Sequence, residues 1–379
     1  MRILIVASAD ADRSTGVGGV CLFLSEAFNA IGHDCGVVSN ETLVGGLRGI
    51  ARQFVFALAL VLYRPAHHRD VLDIGAGDGL YIAVYQKLFR PRSRPLLVAR
   101  SHGLEHVIDD LNRSEEKCGN LKLSWKYPLY HGGFRLWQVK QYLKRADMAL
   151  FLNEYDREYA IEKLGVRPES AEIVDNGIPD VFLGQAVSFE PPADIKIALA
   201  GSFLQRKGID YSVPALNNLL AKHDQLSVTF FGTGVPADGV LRRFDPTVAG
   251  RVHVMPRYEH ENLPGLLKSF HILLFPSLTE GFGLAAVEGM ACGLAAVVSR
   301  VPGIADRLED GVNAIIIPPK DQVAIESAIQ RLIEDPALLI KLRKAGYDFA
   351  QGYSWRRVAE SNLLLYEKAI ERKSRKGQR

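Results

Sequence analysis

The chain has 379 residues, 47% of them hydrophobic, and its 46 basic and 43 acidic side chains leave a formal net charge of +3. That length suggests two domains and permits a sizeable core. The charge is too small to argue for a nucleic-acid partner, and it is localised. Glu371 to Arg379 holds Arg372, Lys373, Arg375, Lys376 and Arg379 against Glu371. This stretch reads as a solvated tail, with attraction to anionic lipid as the sharper alternative. Cys21, Cys35, Cys118 and Cys292 show no C-x-x-C spacing and no nearby histidine pattern. That fits a reducing compartment and no structural zinc. Ile3 to Ala9 is apolar but stops at Asp10, too soon for a signal peptide.

Arg2 to Ala9 is predicted as a first buried strand. A polar loop, Asp10 to Thr15, and the glycines of Gly16-Val17-Gly18-Gly19 follow, then a helix with Leu24, Ala27, Phe28 and Ile31 on one face. Strand, glycine-rich loop and helix together make an anion cradle. Asp10-Ala11-Asp12 has the D-x-D spacing of a metal site in the wrong surroundings. Asp34 to Ser39 is the second strand. Phe54 to Tyr63 is apolar and flanked by Arg48, Arg52 and Arg64. It is too short to span a bilayer, so a buried helix is expected, with a helix lying on a membrane surface as the alternative.

Asp73-Ile74-Gly75-Ala76-Gly77-Asp78-Gly79 closes a strand with a glycine-rich turn and resembles motif I of S-adenosylmethionine-dependent methyltransferases. Pro95 to Arg100 is a strand, and His102, Glu105 and His106 follow at its C-terminal end, where open α/β sheets carry their chemistry. Val107 to Gln141 is polar, aromatic and irregular. Ala146 to Leu152 is another strand, and Ser188 to Asp194, with Pro191-Pro192, is the best linker candidate.

The second half restarts with a strand at Ile195 to Ala200 and a loop, Gly201 to Gly208, that carries Arg206 and Lys207. Strands at Ser227 to Phe231, Arg251 to Pro256 and His271 to Phe275 lead to the most informative stretch. There Glu280-Gly281-Phe282-Gly283 forms a tight loop, Leu284 to Cys292 a helix, and Leu294 to Ser299 a strand: one parallel crossover. Two glycines let the backbone approach a ligand and present amides at a helix start, which favours an anion. Glu280 and Glu288 can both face the crevice above the strand ends. Carboxylates beside free amides suit a ligand rich in phosphates and hydroxyls.

Glu280 and Glu288, around E-G-F-G-L and before G-M-A-C-G, resemble the E-x7-E signature of retaining glycosyltransferases of family four. The resemblance implies the GT-B fold: α/β, two Rossmann-like doubly wound domains facing a central cleft. It implies an N-terminal domain over 1–187, a nucleotide-sugar domain over 188–354, and a C-terminal helix from about 355 crossing back to the first. By the same resemblance Glu280 lies near the donor sugar and Glu288 near the ribose. Gly281, Phe282, Gly283 and Leu284 lie near sugar and phosphates. Gly201 to Gly208 resembles the donor-phosphate motif G-R-L-x-x-x-K-G; Lys207 matches its lysine, and Arg206 stands in for the arginine that Ser202 replaces. Gly18 and Gly19 correspond to a pair near the diphosphate or acceptor, and His102 to a histidine near donor and acceptor, whose role is orienting or polar stabilisation rather than that of a base. Ala285, Gly289 and Ala295 are small-residue departures.

The implied reaction moves a sugar from a UDP- or GDP-sugar to a hydroxyl of a glycan, lipid-linked or small-molecule acceptor, facing the 107–141 region. No cofactor and no tightly bound metal are expected, and the setting is cytoplasmic or peripheral at an anionic membrane. The alternatives are a methyltransferase built on Asp73 to Gly79 and a non-catalytic nucleotide-sugar-binding protein.

Overall fold

A computed structural model describes residues 1–13, 16–45, 47, 49–89 and 94–377. Thr15, Arg48 and Arg379 therefore lie outside the described residues, as does the side chain of Lys376. The chain divides into two compact units, 1–177 with 355–379, and 178–354.

The first unit is built on six parallel strands: β1 (Arg2–Val6), β2 (Asp34–Val38), β3 (Val71–Gly75), β4 (Leu96–Arg100), β5 (Met148–Phe151) and β6 (Ala171–Ile173). Their order is β2-β1-β3-β4-β5-β6. Alternation along each strand sends successive side chains to opposite faces. Leu4, Leu72, Leu97 and Ala149 enter one core with Phe56, Leu60, Ile82 and Tyr142. Those four come from helices Gly49–Leu62, Leu80–Phe89 and Leu136–Arg145. On the other face Asp73 and Arg100 meet Tyr366 of the C-terminal helix, Trp355–Gly377, which also packs on helix Gly16–Ala30.

The second unit repeats the architecture with β7 (Ile195–Ala200), β8 (Leu226–Phe231), β9 (Val252–Met255), β10 (Ile272–Phe275), β11 (Ala295–Ser299) and β12 (Ile315–Ile317), in the order β12-β11-β10-β7-β8-β9. Strand order reverses between β7 and β10, where Ile272 pairs with Ile197. That switch point is where a doubly wound sheet opens a crevice for a ligand.

Four expectations need correction. The first unit ends at Gly177 rather than 187: Gly177 sits against Trp355, where a Cβ would come within 2.8 Å of its backbone nitrogen. Residues around Pro191-Pro192 belong to the second unit, whose Arg343 donates to the Ser188 carbonyl at 2.8 Å, so they do not link the two. The region 107–141 is less irregular than its composition suggests. Glu105–Lys117 is a helix and Tyr130–Arg135 one π turn. That helix buries His106, Asp109 and Glu115 and is polar in overall composition, so it reads as a polar stretch although its sequence is amphipathic. Finally, Gly49–Leu62 is helical but only half-buried, with Phe54, Val55, Leu58 and Leu62 exposed.

Candidate active site

In the second unit, the loop after β7 and the loop after β10 are knitted together at the switch point. The Leu278 amide donates to the Arg206 carbonyl at 2.8 Å. Gly208 has φ +72°, and a Cβ there would stand 2.0 Å from the Pro276 carbonyl oxygen, so only glycine allows this approach. The consequence is a pairing across 73 residues of sequence: Lys207 Nζ donates to Glu280 Oε1 at 2.5 Å. Both side chains are largely buried, and the ammonium also lies 5.3 Å from the Phe275 ring centroid. Arg206, next in sequence, is exposed, and its guanidinium makes no hydrogen bond or ion pair with any described residue.

Glu280 leads into Gly281-Phe282-Gly283 and then the helix Leu284–Ala291. Gly283 takes φ +99°, and a Cβ there would meet Ile304 Cγ2 at 2.9 Å. The turn therefore ends with backbone amides of the first helical turn above the strand ends, as the spacing of the glycines predicts. Phe282 is buried, under the Arg307 guanidinium at 5.3 Å. Leu284 is half-buried at the first helical position.

Glu288 is buried one turn further on, and its partner is His260, whose Nε2 lies 2.9 Å from Oε1. Burial alone would lower the His260 pKa, but the hydrogen bond and charge of Glu288 outweigh it and the value is raised. The same carboxylate adds to burial in pushing the nearby Tyr258 phenol up to about 12. His260 and Ser277 are candidates that sequence reading missed. The Ser277 hydroxyl is buried at the end of β10 without a partner among the described residues. Sequence offered only a strand stop at Ser277, and no local signal at all at His260.

In the first unit a cavity of about 300 Å³ opens at the C-terminal ends of β1, β3 and β4, lined by Ser8, Asp78, Arg100, His102, Glu105 and Arg135 among others. His102 is thus where strand-end logic predicts. Burial first, and the Arg100 charge second, lower its pKa to about 4. The imidazole is therefore neutral at neutral pH. Gly18 and Gly19 behave differently from expectation. They lie inside helix Gly16–Ala30 rather than in a loop, and Val17, not the glycine pair, lines the cavity. Gly19 is needed for packing, since a Cβ there would approach the Arg13 carbonyl at 2.9 Å.

The methyltransferase-like turn is filled by the protein's own side chains. A Cβ on Gly77 would overlap the Arg135 guanidinium at 1.9 Å, and one on Gly79 the Tyr142 ring at 2.1 Å. Arg135 donates to the Gly77 carbonyl, to Asp78 and to Glu105. Asp73 is engaged by Arg100 and Tyr366. The glycines thus serve packing and an ion-pair relay. Asp10, of the D-x-D pair, lies 3.9 Å from Arg52, and no group of three or more His, Cys, Asp or Glu among the described residues has metal-binding geometry.

His102 and His271 also predict a pH dependence. Burial lowers His271 to about 4 as well, and its Nδ1 accepts from the Lys196 amide at 3.1 Å. Both groups are neutral when folded, whereas unfolded histidine titrates near 6.5. Stability is therefore full above pH 6.5 and declines as pH falls toward 4, each site contributing up to ~3 kcal/mol. Urea unfolding at pH 7 and pH 5 should show this loss, and the double variant His102→Asn, His271→Asn should flatten it. An unchanged slope would reject the assignment.

Residues 194–335 match the sequence model of the glycosyl transferases group 1 family. The chain is 28% identical to the MMP alpha-(1->4)-mannosyltransferase of Mycolicibacterium hassiacum, over 98% of this chain and 99% of that protein. It is also 28% identical to the D-inositol 3-phosphate glycosyltransferase 1 of Catenulispora acidiphila, over 59% of this chain but only 50% of the relative, so it spans about half of that protein's length. Among solved structures, the sucrose-phosphate synthase of Thermosynechococcus elongatus aligns with a TM-score of 0.76 at 20% identity, covering 98% of this chain and 100% of the other. Anabaena HepE in complex with UDP-glucose aligns at 0.71 and 14% identity, covering 98% and 100%. These two likenesses establish the fold.

Proposed function

We propose that the chain, on the GT-B fold, is a group 1 glycosyltransferase and that it transfers a sugar from a nucleoside diphosphate sugar to an acceptor hydroxyl with retention at the anomeric carbon. The observation that carries this reading is the Lys207–Glu280 pair held beneath the Gly281–Gly283 turn at the switch point of the second sheet. A diphosphate entering there meets Arg206, Lys207 and the amides of the helix Leu284–Ala291. Glu280 is placed to accept hydroxyls of the donor sugar, and Glu288, steadied by His260, those of the ribose. The bond from the anomeric carbon to the diphosphate oxygen breaks as negative charge grows on the leaving group, which the two cations stabilise. The acceptor oxygen bonds to the same face of that carbon, and its proton passes to the departing phosphate oxygen.

Support for donor chemistry also comes from the neighbour bound to UDP-glucose, and for a glycan acceptor from the Staphylococcus aureus TarM mutant crystallised with fondaparinux and UDP. In the first unit, the cavity around neutral His102 is the acceptor-side candidate. All four cysteines are unpaired, in keeping with a reducing, cytoplasmic setting. No helix among the described residues is long and apolar enough to cross a membrane.

The test is a binding and turnover panel. UDP, GDP and ADP, their sugar conjugates and S-adenosylmethionine are compared for thermal stabilisation, where a ligand at a hundred times its dissociation constant adds ~2.7 kcal/mol. A shift with one nucleoside diphosphate, followed by hydrolysis or transfer giving the retained anomer by NMR, supports the proposal. A shift with no turnover toward any acceptor or water favours a non-catalytic binder. A shift with S-adenosylmethionine alone overturns it.

A further inference from the structure

We propose that the helical layer on one face of the first sheet is a docking surface for an anionic phospholipid membrane. This inference is independent of the sugar-transfer reading. The helices Gly49–Leu62, Leu80–Phe89 and Leu136–Arg145 pack side by side and share one core with the sheet beneath them. Their inner faces are ordinary. Their outer faces are not: Leu58 is 59% exposed, Leu62 74%, Leu88 67% and Phe89 70%. Phe54 continues this ridge by stacking on Phe134 at 5.2 Å, and Phe134 on the exposed Trp137 at 5.7 Å. An apolar surface of this kind on water is costly unless something covers it.

The charges on the same helices say what covers it. None of the three contains an aspartate or glutamate, whereas they carry Arg52, Lys87, Lys140, Lys144 and Arg145. The chain as a whole is nearly balanced, so this segregation is local. Lys87 and Lys144 also line a cavity of about 470 Å³, together with Arg94, Arg167, Arg372 and Lys373, against two carboxylates, Asp147 and Glu169. Asp147 is already spent on Arg94, at 2.7 and 2.8 Å, and on Lys373. The side chains of Lys87, Lys144 and Arg372 make no hydrogen bond or ion pair with any described residue. A protein partner with an apolar patch would match the ridge but not this unbalanced cavity. A bilayer surface matches both: acyl chains receive Leu58, Leu62, Leu88 and Phe89, and headgroup phosphates the cations beside them. The basic C-terminal end takes part through Arg372, while Lys373 is docked inward, donating to the Arg94 and Pro95 carbonyls.

The experiment is flotation of the full chain with vesicles of phosphatidylcholine alone and of phosphatidylcholine mixed with phosphatidylglycerol. Binding is expected to the mixed vesicles, weakening with added salt. Each lysine charge removed should weaken it about fivefold, so Lys87→Gln with Lys144→Gln should lose about 25-fold. Leu58→Ser with Leu62→Ser should lower binding at every salt concentration. Thermal unfolding of each variant, at the parent temperature, shows that the fold is kept. Binding that ignores vesicle charge would overturn the proposal. So would absence of binding, and so would a dimer in sedimentation that Leu58→Ser with Leu62→Ser dissociates while vesicles leave the parent unbound.

Discussion

Replacing Lys207 with alanine is expected to lower sugar-transfer turnover about 10²–10³-fold, and replacing Glu280 with glutamine to do the same, but with opposite effects on nucleoside diphosphate binding. The two side chains pair at 2.5 Å and neutralise each other. Lys207→Ala removes a cation from the place where leaving-group charge develops, so both affinity for the free nucleoside diphosphate and turnover fall. Glu280→Gln releases the ammonium from its carboxylate, so the nucleoside diphosphate alone binds equally well or more tightly while the sugar loses its acceptor. Calorimetric titration of the product nucleotide, set beside kcat/KM, separates the two cases. Turnover within a few-fold of the parent in both variants would place the chemistry elsewhere.

Arg100→Ala is expected to destabilise the first unit by about 3–5 kcal/mol. Arg100 and Asp73 are almost wholly buried, and the guanidinium donates to Asp73, to Asn362 at 2.6 Å and to the Tyr366 hydroxyl at 3.2 Å. Burial opposes its charge, yet the carboxylate outweighs burial and raises its pKa. Removal leaves the Asp73 charge in the core, with Tyr366, which donates to it at 2.6 Å, as its remaining side-chain donor. Because Asn362 and Tyr366 are on the C-terminal helix, the change also loosens that helix from the sheet. All three tryptophans, Trp125, Trp137 and Trp355, belong to the first unit, so tryptophan fluorescence in urea follows its unfolding selectively. The double variant Arg100→Met, Asp73→Leu should recover most of the loss, because a buried pair replaced by apolar groups leaves no unmatched charge. A shift below about 1 kcal/mol in Arg100→Ala would show that water already reaches this pair.

What could be read in advance follows from how each signal is encoded. The crossover around Glu280 and Glu288 is local: an apolar strand, a turn whose glycines are required by positive φ and close approach, and a short helix, all within one window. So is the position of His102 at the end of β4. Of the twelve strands among the described residues, ten are legible as apolar runs between turns. The exceptions, Ala171–Ile173 and Ile315–Ile317, are three-residue edge strands too short to carry a period.

By itself, then, the sequence determined the α/β class, the crossover that carries the two glutamates, and the basic loop at Arg206 and Lys207, because each is written within a dozen neighbouring residues. Tertiary structure alone decided which groups meet. Lys207 reaches Glu280, and His260 reaches Glu288, because the strand order sets β7 beside β10 and folds the intervening chain back over it. It decided that Gly77 and Gly79 seat Arg135 and Tyr142, since a glycine-rich turn says that something comes close and not what. It also decided that the apolar run at Phe54 to Tyr63 buries only one side: hydrophobicity shows that a surface seeks cover, while the neighbours packed around it determine how much it receives.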